Sequence, residues 1–194
     1  MLRSVCVYSG SSPGTKPEYA EVAAALGREL AAREIGAVYG GASVGLMGMM
    51  ANAALEAGGR VTGVIPEAFH EKELAHRGLT ELHVVRTMHE RKTLMADLAD
   101  AFIALPGGFG TFEELLEALT WTQLGVHEKA CGILNVGGYY DPLLQMFDNA
   151  VAERFLYPDH RDLLLVGSEP AELLDRLAEF RPAGRQKWLD RAEL

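Results

Sequence analysis

The stretch AFIALPGGFGTFEELLEALTWTQL, residues 101–124, decides the fold. It joins a short apolar run at 101–105 through a glycine-rich turn at 106–111 to a helical pattern at 111–124, as expected where a buried parallel strand enters a crossover helix. Similar units recur along the whole chain. Strand-like runs lie at 3–8, 36–39, 60–65, 81–86, 101–105, 130–135 and 163–166, and helical patterns at 17–33, 44–57, 88–99, 111–124, 140–155 and 169–180. The alternation predicts a Rossmann-like, doubly wound α/β fold: a mainly parallel sheet with helices on both faces.

The composition is typical of one globular domain. The chain has 194 residues, 48% of them hydrophobic and 23% charged, and a chain of this length buries about 70% of its unfolded surface. We expect a single nucleotide-binding domain over 1–180 and a C-terminal tail over 181–194. No run approaches the roughly 20 apolar residues of a membrane span, and residues 1–8 lack the apolar core of a secretory signal. These observations predict a cytoplasmic protein without a membrane partner.

Charge and side-chain chemistry exclude several further classes. The chain has 27 acidic against 18 basic residues and a net charge of -9, which opposes binding to a nucleic-acid backbone. Cys6 and Cys131 lie in apolar runs and are expected to be core thiols. None of the six histidines pairs with another at the i, i+4 spacing of a helical metal site. We therefore expect neither a metal nor a nucleic-acid partner.

The helical segment 44–57, VGLMGMMANAALEA, is apolar almost all round. One face packed against a sheet would leave leucine or methionine side chains in solvent. We expect this segment to contact a second subunit or another layer of the same chain. Full burial as a central helix is an equally good interpretation.

Three glycine-rich turns follow predicted strands: SGSS at 9–12, GGASVG at 40–45 and PGGFGT at 106–111. In an open parallel sheet the ligand binds beyond the carboxyl ends of the strands, and exposed amides at helix N-termini favour an anion. Any single turn is explained by ordinary strand-to-helix geometry, but three together indicate a small phosphate ligand. The first turn departs from G-x-G-x-x-G and no turn carries G-K-[ST], which disfavours a dinucleotide and a P-loop triphosphate site. A mononucleotide remains.

Two cations lie in an unusual position at the start of a predicted helix. Thr87 and Glu90 have the spacing of a capping box, which places Arg91 and Lys92 in the opening turns. Neither has a carboxylate three or four residues away, and positive charge there opposes the helix dipole. We favour a functional role for Arg91, and for Lys92 we weigh function and structure equally. A tertiary salt bridge is the alternative for both.

The two glutamates after the third glycine turn differ in their local surroundings. Thr111 and Glu114 also have capping-box spacing, so Glu114 is predicted to cap the helix. Glu113 has no cation at i±3 or i±4 and faces Glu117 at i+4. Glu113 is therefore the better chemical candidate.

The segment Pro106–Glu114, PGGFGTFEE, resembles without a gap the PGGxGTxEE motif of the Lonely Guy (LOG) family of cytokinin riboside 5'-monophosphate phosphoribohydrolases. Three further segments are similar to the family: 88–92 (MHERK), 45–48 (GLMG) and 6–12 (CVYSGSS). The similarity covers residues 3 to about 180. It departs at Ala42, where the family commonly has glycine, and at Ser9, where it often has cysteine.

The resemblance implies a homodimer that hydrolyses the N-glycosidic bond of a nucleoside 5'-monophosphate to free base and ribose 5-phosphate, without a cofactor. By motif position it assigns the catalytic roles to Arg91 and Glu113. The expected substrate-binding residues, from the glycine turns and from the motif, are Gly10, Ser11, Gly41, Glu73, Lys92, Gly107, Gly108, Gly110, Thr111 and Glu114.

Three questions stay open on the sequence. Arg91 could stabilise the departing base or bind the 5'-phosphate, and the base could be plain adenine or carry an N6-prenyl group. The alternative function is a non-catalytic nucleotide or molybdenum-cofactor carrier, since such carriers resemble the family in fold. The label "possible lysine decarboxylase", often attached to the family, is disfavoured because it needs pyridoxal phosphate on a lysine and no motif supports that cofactor.

Overall fold

A computed structural model of the chain describes residues 2–70 and 75–181. Within them, seven strands form one sheet in the order β4-β3-β2-β1-β5-β6-β7, and every neighbouring pair is parallel. The strands are β1 (Ser4–Tyr8), β2 (Gly36–Tyr39), β3 (Val61–Pro66), β4 (Glu81–Val85), β5 (Ala101–Ala104), β6 (Ala130–Leu134) and β7 (Leu164–Gly167). The predicted parallel α/β sheet is confirmed.

Helices connect the strands and cover both faces of the sheet. They are α1 (Pro17–Ala32), α2 (Gly45–Glu56), α3 (Glu67–His70), α4 (Met88–Leu98), α5 (Phe109–Leu124), α6 (Asp141–Ala152), α7 (Pro158–Arg161) and α8 (Pro170–Glu179), with a 3-10 turn at Val136–Gly138. Helices α1, α2 and α8 contribute to one apolar core and α4, α5 and α6 to the other. Strands β2 to β4 are added on one side of β1, and strands β5 to β7 are added on its other side. The topological switch point therefore lies between β1 and β5.

The elements differ from the predictions by more than one residue at two helix ends, and two short helices are additional. Helix α5 begins at Phe109, inside the glycine turn, and not at residue 111. The helix predicted over 140–155 ends at Ala152, and Arg154 follows it with φ +63, a left-handed conformation that breaks the helix. The short helices α3 and α7 were not predicted, because a single turn has no detectable period. The tail predicted over 181–194 lies outside the described residues after Arg181.

The apolar helix α2 packs against α1 within the same chain. Leu46 and Met50 are fully buried, and Gly27 of α1 lies so close that an added Cβ would contact the Met50 carbonyl and approach the Ala54 amide to 2.9 Å. A neighbouring helix of the same layer, and not another layer, thus buries much of α2. Met49 is left partly exposed.

The two cysteines match their prediction as core thiols. Cys6 and Cys131 are buried free thiols, and burial raises the pKa of Cys131 to about 12, which makes it a poor nucleophile. In the part of the chain that the structure describes, no helix has the length and apolar character needed to cross a bilayer.

Candidate active site

A cavity of about 490 Å³ opens at the switch point of the sheet. Its walls are the turns after β1 and β2, the end of β3, and the first turns of α4 and α5. The lining residues are Val7, Tyr8, Ser9, Gly10, Ser11, Gly40, Ala42, Val44, Met47, Ile65, Pro66, Phe69, Met88, Arg91, Gly108, Phe109, Gly110, Thr111 and Glu114. The cavity therefore lies where the three glycine turns were predicted to meet.

Arg91 enters the cavity from the first turns of α4. That helix begins as predicted, with the Thr87 hydroxyl accepting a hydrogen bond of 3.1 Å from the Glu90 amide. The Arg91 guanidinium donates through Nε to the Val64 carbonyl at 3.1 Å and through Nη1 to Glu114 Oε1 at 2.5 Å. Arg91 thus makes the tertiary salt bridge that was the alternative, and does so inside the cavity.

Glu114 is the carboxylate of the cavity. Its side chain is only 10% exposed, as is that of Arg91. Burial raises the pKa of the Glu114 carboxyl above its ordinary value, although the Arg91 guanidinium pulls it in the opposite direction. A buried carboxyl with a shifted pKa beside an arginine has the properties of an acid–base or charge-stabilising group.

The capping box predicted for Thr111 and Glu114 is wrong. The N-cap of α5 is Gly108, without a side-chain cap, and the first helical bond runs from the Phe112 amide to the Gly108 carbonyl. Thr111 consequently lies inside the first turn, where it is buried against the cavity. Glu114, three residues further along the helix, faces the cavity with it.

Glu113 and Lys92 lie together outside the cavity lining. Lys92 Nζ binds Glu113 Oε1 and also Glu117 Oε1, the latter at 2.9 Å. Although burial opposes it, these hydrogen bonds raise the pKa of Lys92. The Glu113 side chain is 55% exposed. This cluster connects α4 to α5 next to the Arg91–Glu114 pair.

The glycines of the third turn fall into two kinds. An added Cβ at Gly107 would lie 2.7 Å from Thr111 Cβ and 2.9 Å from the Gly10 amide, so Gly107 is required for packing. An added Cβ at Gly108 or Gly110 would meet nothing within 4 Å. Those two positions line the cavity, and the space beside them is open to a ligand.

The second turn contains a residue that sequence reasoning did not select. A Cβ at Gly40 would collide with Arg91 Nη2, so Gly40 makes room for the guanidinium. Its neighbour Gly41, predicted to bind substrate, has φ +76 and packs against Ile65 without lining the cavity. Glu73, the other expected ligand contact, lies outside the described residues.

Ser9 belongs to the first turn predicted to bind phosphate, whereas an apolar wall of the cavity was missed as a site feature. Ser9 is 8% exposed, and its hydroxyl has no hydrogen-bond partner within residues 2–70 and 75–181. A buried polar atom without a partner is costly, and a ligand oxygen would satisfy it. The wall opposite the glycine turn is apolar, with Val44, Met47 and Phe69 among its residues. No local sequence pattern marks such a wall.

Together, the fold and cavity define a Rossmann-like protein whose site suits a small phosphate-bearing ligand. Residues 47–177 match the family model described as "Possible lysine decarboxylase". The chain is 48% identical over 192 residues to a probable cytokinin riboside 5'-monophosphate phosphoribohydrolase of Oryza sativa subsp. japonica, covering 96% of this chain and 79% of that protein. It is 54% identical over 165 residues to the cytokinin riboside 5'-monophosphate phosphoribohydrolase of Rhodococcoides fascians, covering 84% and 83%. The chain belongs to the LOG family.

Solved structures at lower identity share the fold. A molybdenum cofactor binding protein from Rippkaea orientalis superposes with a TM-score of 0.70 at 19% identity, covering 92% of this chain and 97% of that one. The molybdenum cofactor carrier protein of Chlamydomonas reinhardtii gives a TM-score of 0.69 at 20% identity, covering 92% and 98%. At these identities the likeness shows a common architecture and does not assign a ligand.

Proposed function

We propose that the protein hydrolyses the N-glycosidic bond of a nucleoside 5'-monophosphate, adenosine monophosphate or an N6-substituted derivative, to free base and ribose 5-phosphate. The observation that carries the proposal is the buried Arg91–Glu114 pair in a cavity with one glycine-lined and one apolar wall. Relatives at 47–54% identity bear the name of this activity.

The glycine-lined wall is the proposed phosphate site. The amides of Gly108 to Thr111 precede the first backbone bond of α5 and have no carbonyl one turn earlier to accept from them. Helix α5 has 16 residues, so its dipole favours an anion at this end. Gly10 lies beside this wall, and Ser11 and Ser9 line the same cavity; the Ser9 hydroxyl has no hydrogen-bond partner among the described residues. Gly107 and Gly41 shape the turns without touching the ligand.

The chemistry needs a carboxylate near the ribose. As the C1'–N bond lengthens, the base departs with the bonding electrons and positive charge develops on the ribose, which a nearby carboxylate stabilises. A water oxygen then bonds to C1', one of its protons is lost, and the base takes up a proton. We assign the carboxylate role to Glu114 because it lines the cavity, whereas Glu113 binds Lys92 outside it.

The Arg91 guanidinium favours the ionised form of the buried Glu114 carboxyl. Burial raises the pKa of Glu114 and the guanidinium opposes that shift. Because Val64 and Gly40 fix two sides of the guanidinium, Arg91 presents the carboxylate in one orientation. Lys92, with Glu113 and Glu117, supports this arrangement from the α4–α5 interface.

The apolar wall is the proposed base site. Val44, Phe69 and Met88 are partly exposed at the cavity, and they suit the face of a purine or an apolar N6 substituent. Phe109 is 92% exposed at the cavity mouth. We propose that a second subunit covers this mouth in a cytoplasmic homodimer; light scattering that returns the single-chain mass of 21.1 kDa at micromolar concentration would contradict it.

One assay tests the function directly. The purified protein is incubated, with and without EDTA, with adenosine monophosphate, N6-isopentenyl adenosine monophosphate and adenosine, and free base is resolved by chromatography. We expect base from the nucleotides in both conditions and much less from adenosine, since phosphate binding energy is used at the reacting centre. A non-catalytic carrier would bind the nucleotide and release no base.

A further inference from the structure

Three consecutive carbonyls of the turn after β5 are bound by groups from elsewhere in the chain. The Pro106 carbonyl accepts from the Gly10 amide at 3.0 Å. The Leu105 carbonyl accepts from the Tyr140 hydroxyl at 2.7 Å, and the Gly107 carbonyl accepts from the Tyr139 hydroxyl. The two tyrosines follow β6, on a neighbouring loop. These three carbonyls thus face the protein, whereas the amides from Gly108 to Thr111 have no backbone acceptor among the described residues and are left for a ligand.

We infer that Tyr139 is a positioning residue for the phosphate site: its hydroxyl holds the Gly107 carbonyl and thereby directs the Gly108 amide into the cavity. The described chain has no cis peptide bond, and in a trans peptide the C=O and N–H groups point in opposite directions. With the Gly107 carbonyl bound by Tyr139, the Gly108 N–H points away from Tyr139. Gly108 lines the cavity and Gly107 does not.

The peptide between Gly107 and Gly108 needs such a restraint. Glycine has no side chain to restrict its backbone, so a peptide between two glycines rotates more readily than any other. Tyr139 itself is held by aromatic contacts with Tyr19 at 5.8 Å and Phe112 at 6.5 Å between ring centroids. Those contacts do not use the hydroxyl, so phenylalanine at 139 keeps them while releasing the carbonyl.

Tyr140 provides the matched control. Its hydroxyl also binds a carbonyl of the same loop, but that carbonyl belongs to Leu105 at the end of the strand. Removing the buried Tyr140 hydroxyl leaves the Leu105 carbonyl without this donor and lowers stability. It leaves the Gly107–Gly108 peptide held. A purely structural role for Tyr139 would make the two variants alike.

The test compares wild type, Tyr139→Phe and Tyr140→Phe in two assays, of which only the second rests on the proposed function. The first is calorimetric binding of ribose 5-phosphate, which requires no turnover. The second is kcat/KM for a nucleoside monophosphate and for the matching nucleoside. Thermal melts show that both variants are folded.

We expect Tyr139→Phe to weaken ribose 5-phosphate binding about tenfold, the effect of one misdirected hydrogen bond to a charged group. Its kcat/KM should fall by the same factor on the nucleotide, through KM, and stay unchanged on the nucleoside. Tyr140→Phe should lower the melting temperature and keep wild-type ribose 5-phosphate affinity.

The outcomes separate the two ideas. Unchanged ribose 5-phosphate affinity in Tyr139→Phe, an equal loss in Tyr140→Phe, or no binding by the wild type overturns the positioning role. A wild type that binds ribose 5-phosphate, loses binding in Tyr139→Phe and cleaves no nucleotide supports the positioning role and refutes the hydrolase.

Discussion

Replacing Glu114 with glutamine tests which of two adjacent carboxylates acts on the substrate. Glutamine keeps the size of the side chain and an oxygen that can accept from Arg91, so the buried contact of 2.5 Å retains a partner. The negative charge is lost. A charge-stabilising group in a water-poor site contributes about 10²–10³ in rate, or roughly 3–4 kcal/mol. We expect kcat to fall by that factor in Glu114→Gln.

Glu113→Gln is the matched control one residue away. The Glu113 side chain is 55% exposed, and Lys92 keeps its contact with Glu117 at 2.9 Å when Glu113 is neutralised. An ion pair exposed on one side contributes about 0–1 kcal/mol. For a chain of this size that is a shift in melting temperature below about 4 °C. Activity should stay within about threefold of wild type.

The assay is release of free base from a nucleoside monophosphate at saturating substrate, with a thermal melt for each variant. The reasoning would be refuted if kcat fell a hundredfold in Glu113→Gln and stayed near the wild-type value in Glu114→Gln. That result would restore the assignment favoured by the sequence alone, in which Glu113 carries the chemistry.

Three further outcomes follow from the same geometry. Gly40→Ala should displace the guanidinium and reduce kcat/KM at least about tenfold. Gly36→Ala, at the start of the strand that precedes this turn, has its nearest contact at 3.7 Å and should be near neutral. Equal effects of the two substitutions would contradict this. Gly107→Ala should lower the melting temperature. Gly110→Ala should leave the melting temperature unchanged and weaken nucleotide binding, and calorimetry of unfolding and of nucleotide binding distinguishes these two effects. Because burial raises the pKa of Glu114, the acid limb of kcat/KM should lie above the ordinary glutamate value of 4.5, and a midpoint below 4.5 would exclude an essential buried carboxylate.

The architecture could be inferred from sequence because each crossover unit carries its own local signal. The run at 101–105 and the turn at 106–111 identify β5 and the loop after it without reference to the rest of the chain. The start of α5 could not be placed, because its N-cap is a glycine without a side-chain cap. A residue-type rule for helix starts selects Thr111 in its place, and that misplaced cap is the reason why the sequence favours Glu113 over Glu114 as the chemical candidate.

Contacts between distant residues explain the rest of what the sequence could not show. The lack of a local partner singled out Arg91, but its actual partner is 23 positions away on another helix. The role of Gly40 depends on the guanidinium that fills the space of its missing side chain. The Ser9 hydroxyl likewise has no hydrogen-bond partner among the described residues because of the way distant segments pack around it, which the local sequence does not show.

The buried Arg91–Glu114 pair is a poor way to stabilise a fold, which gives a last prediction. Removing one partner of such a pair costs about 3–5 kcal/mol, while replacing both by apolar groups is often neutral or stabilising. We therefore expect Arg91→Met to be strongly destabilised at pH 7 and Arg91→Met/Glu114→Leu to recover most of that loss, with both variants inactive.

Urea unfolding of both variants and of Glu114→Leu, across pH, measures the coupling. In Arg91→Met the carboxyl binds its proton more tightly in the folded than in the unfolded chain, because burial raises its pKa and the opposing cation is gone. Its stability should therefore increase as the pH falls towards 4.5 and decrease as the pH rises. The double variant, with no carboxyl at 114, should lack that dependence. Additive losses at all pH values would mean that Arg91 and Glu114 do not interact in the folded chain, and the argument that Arg91 sets the charge of Glu114 would lose its physical basis.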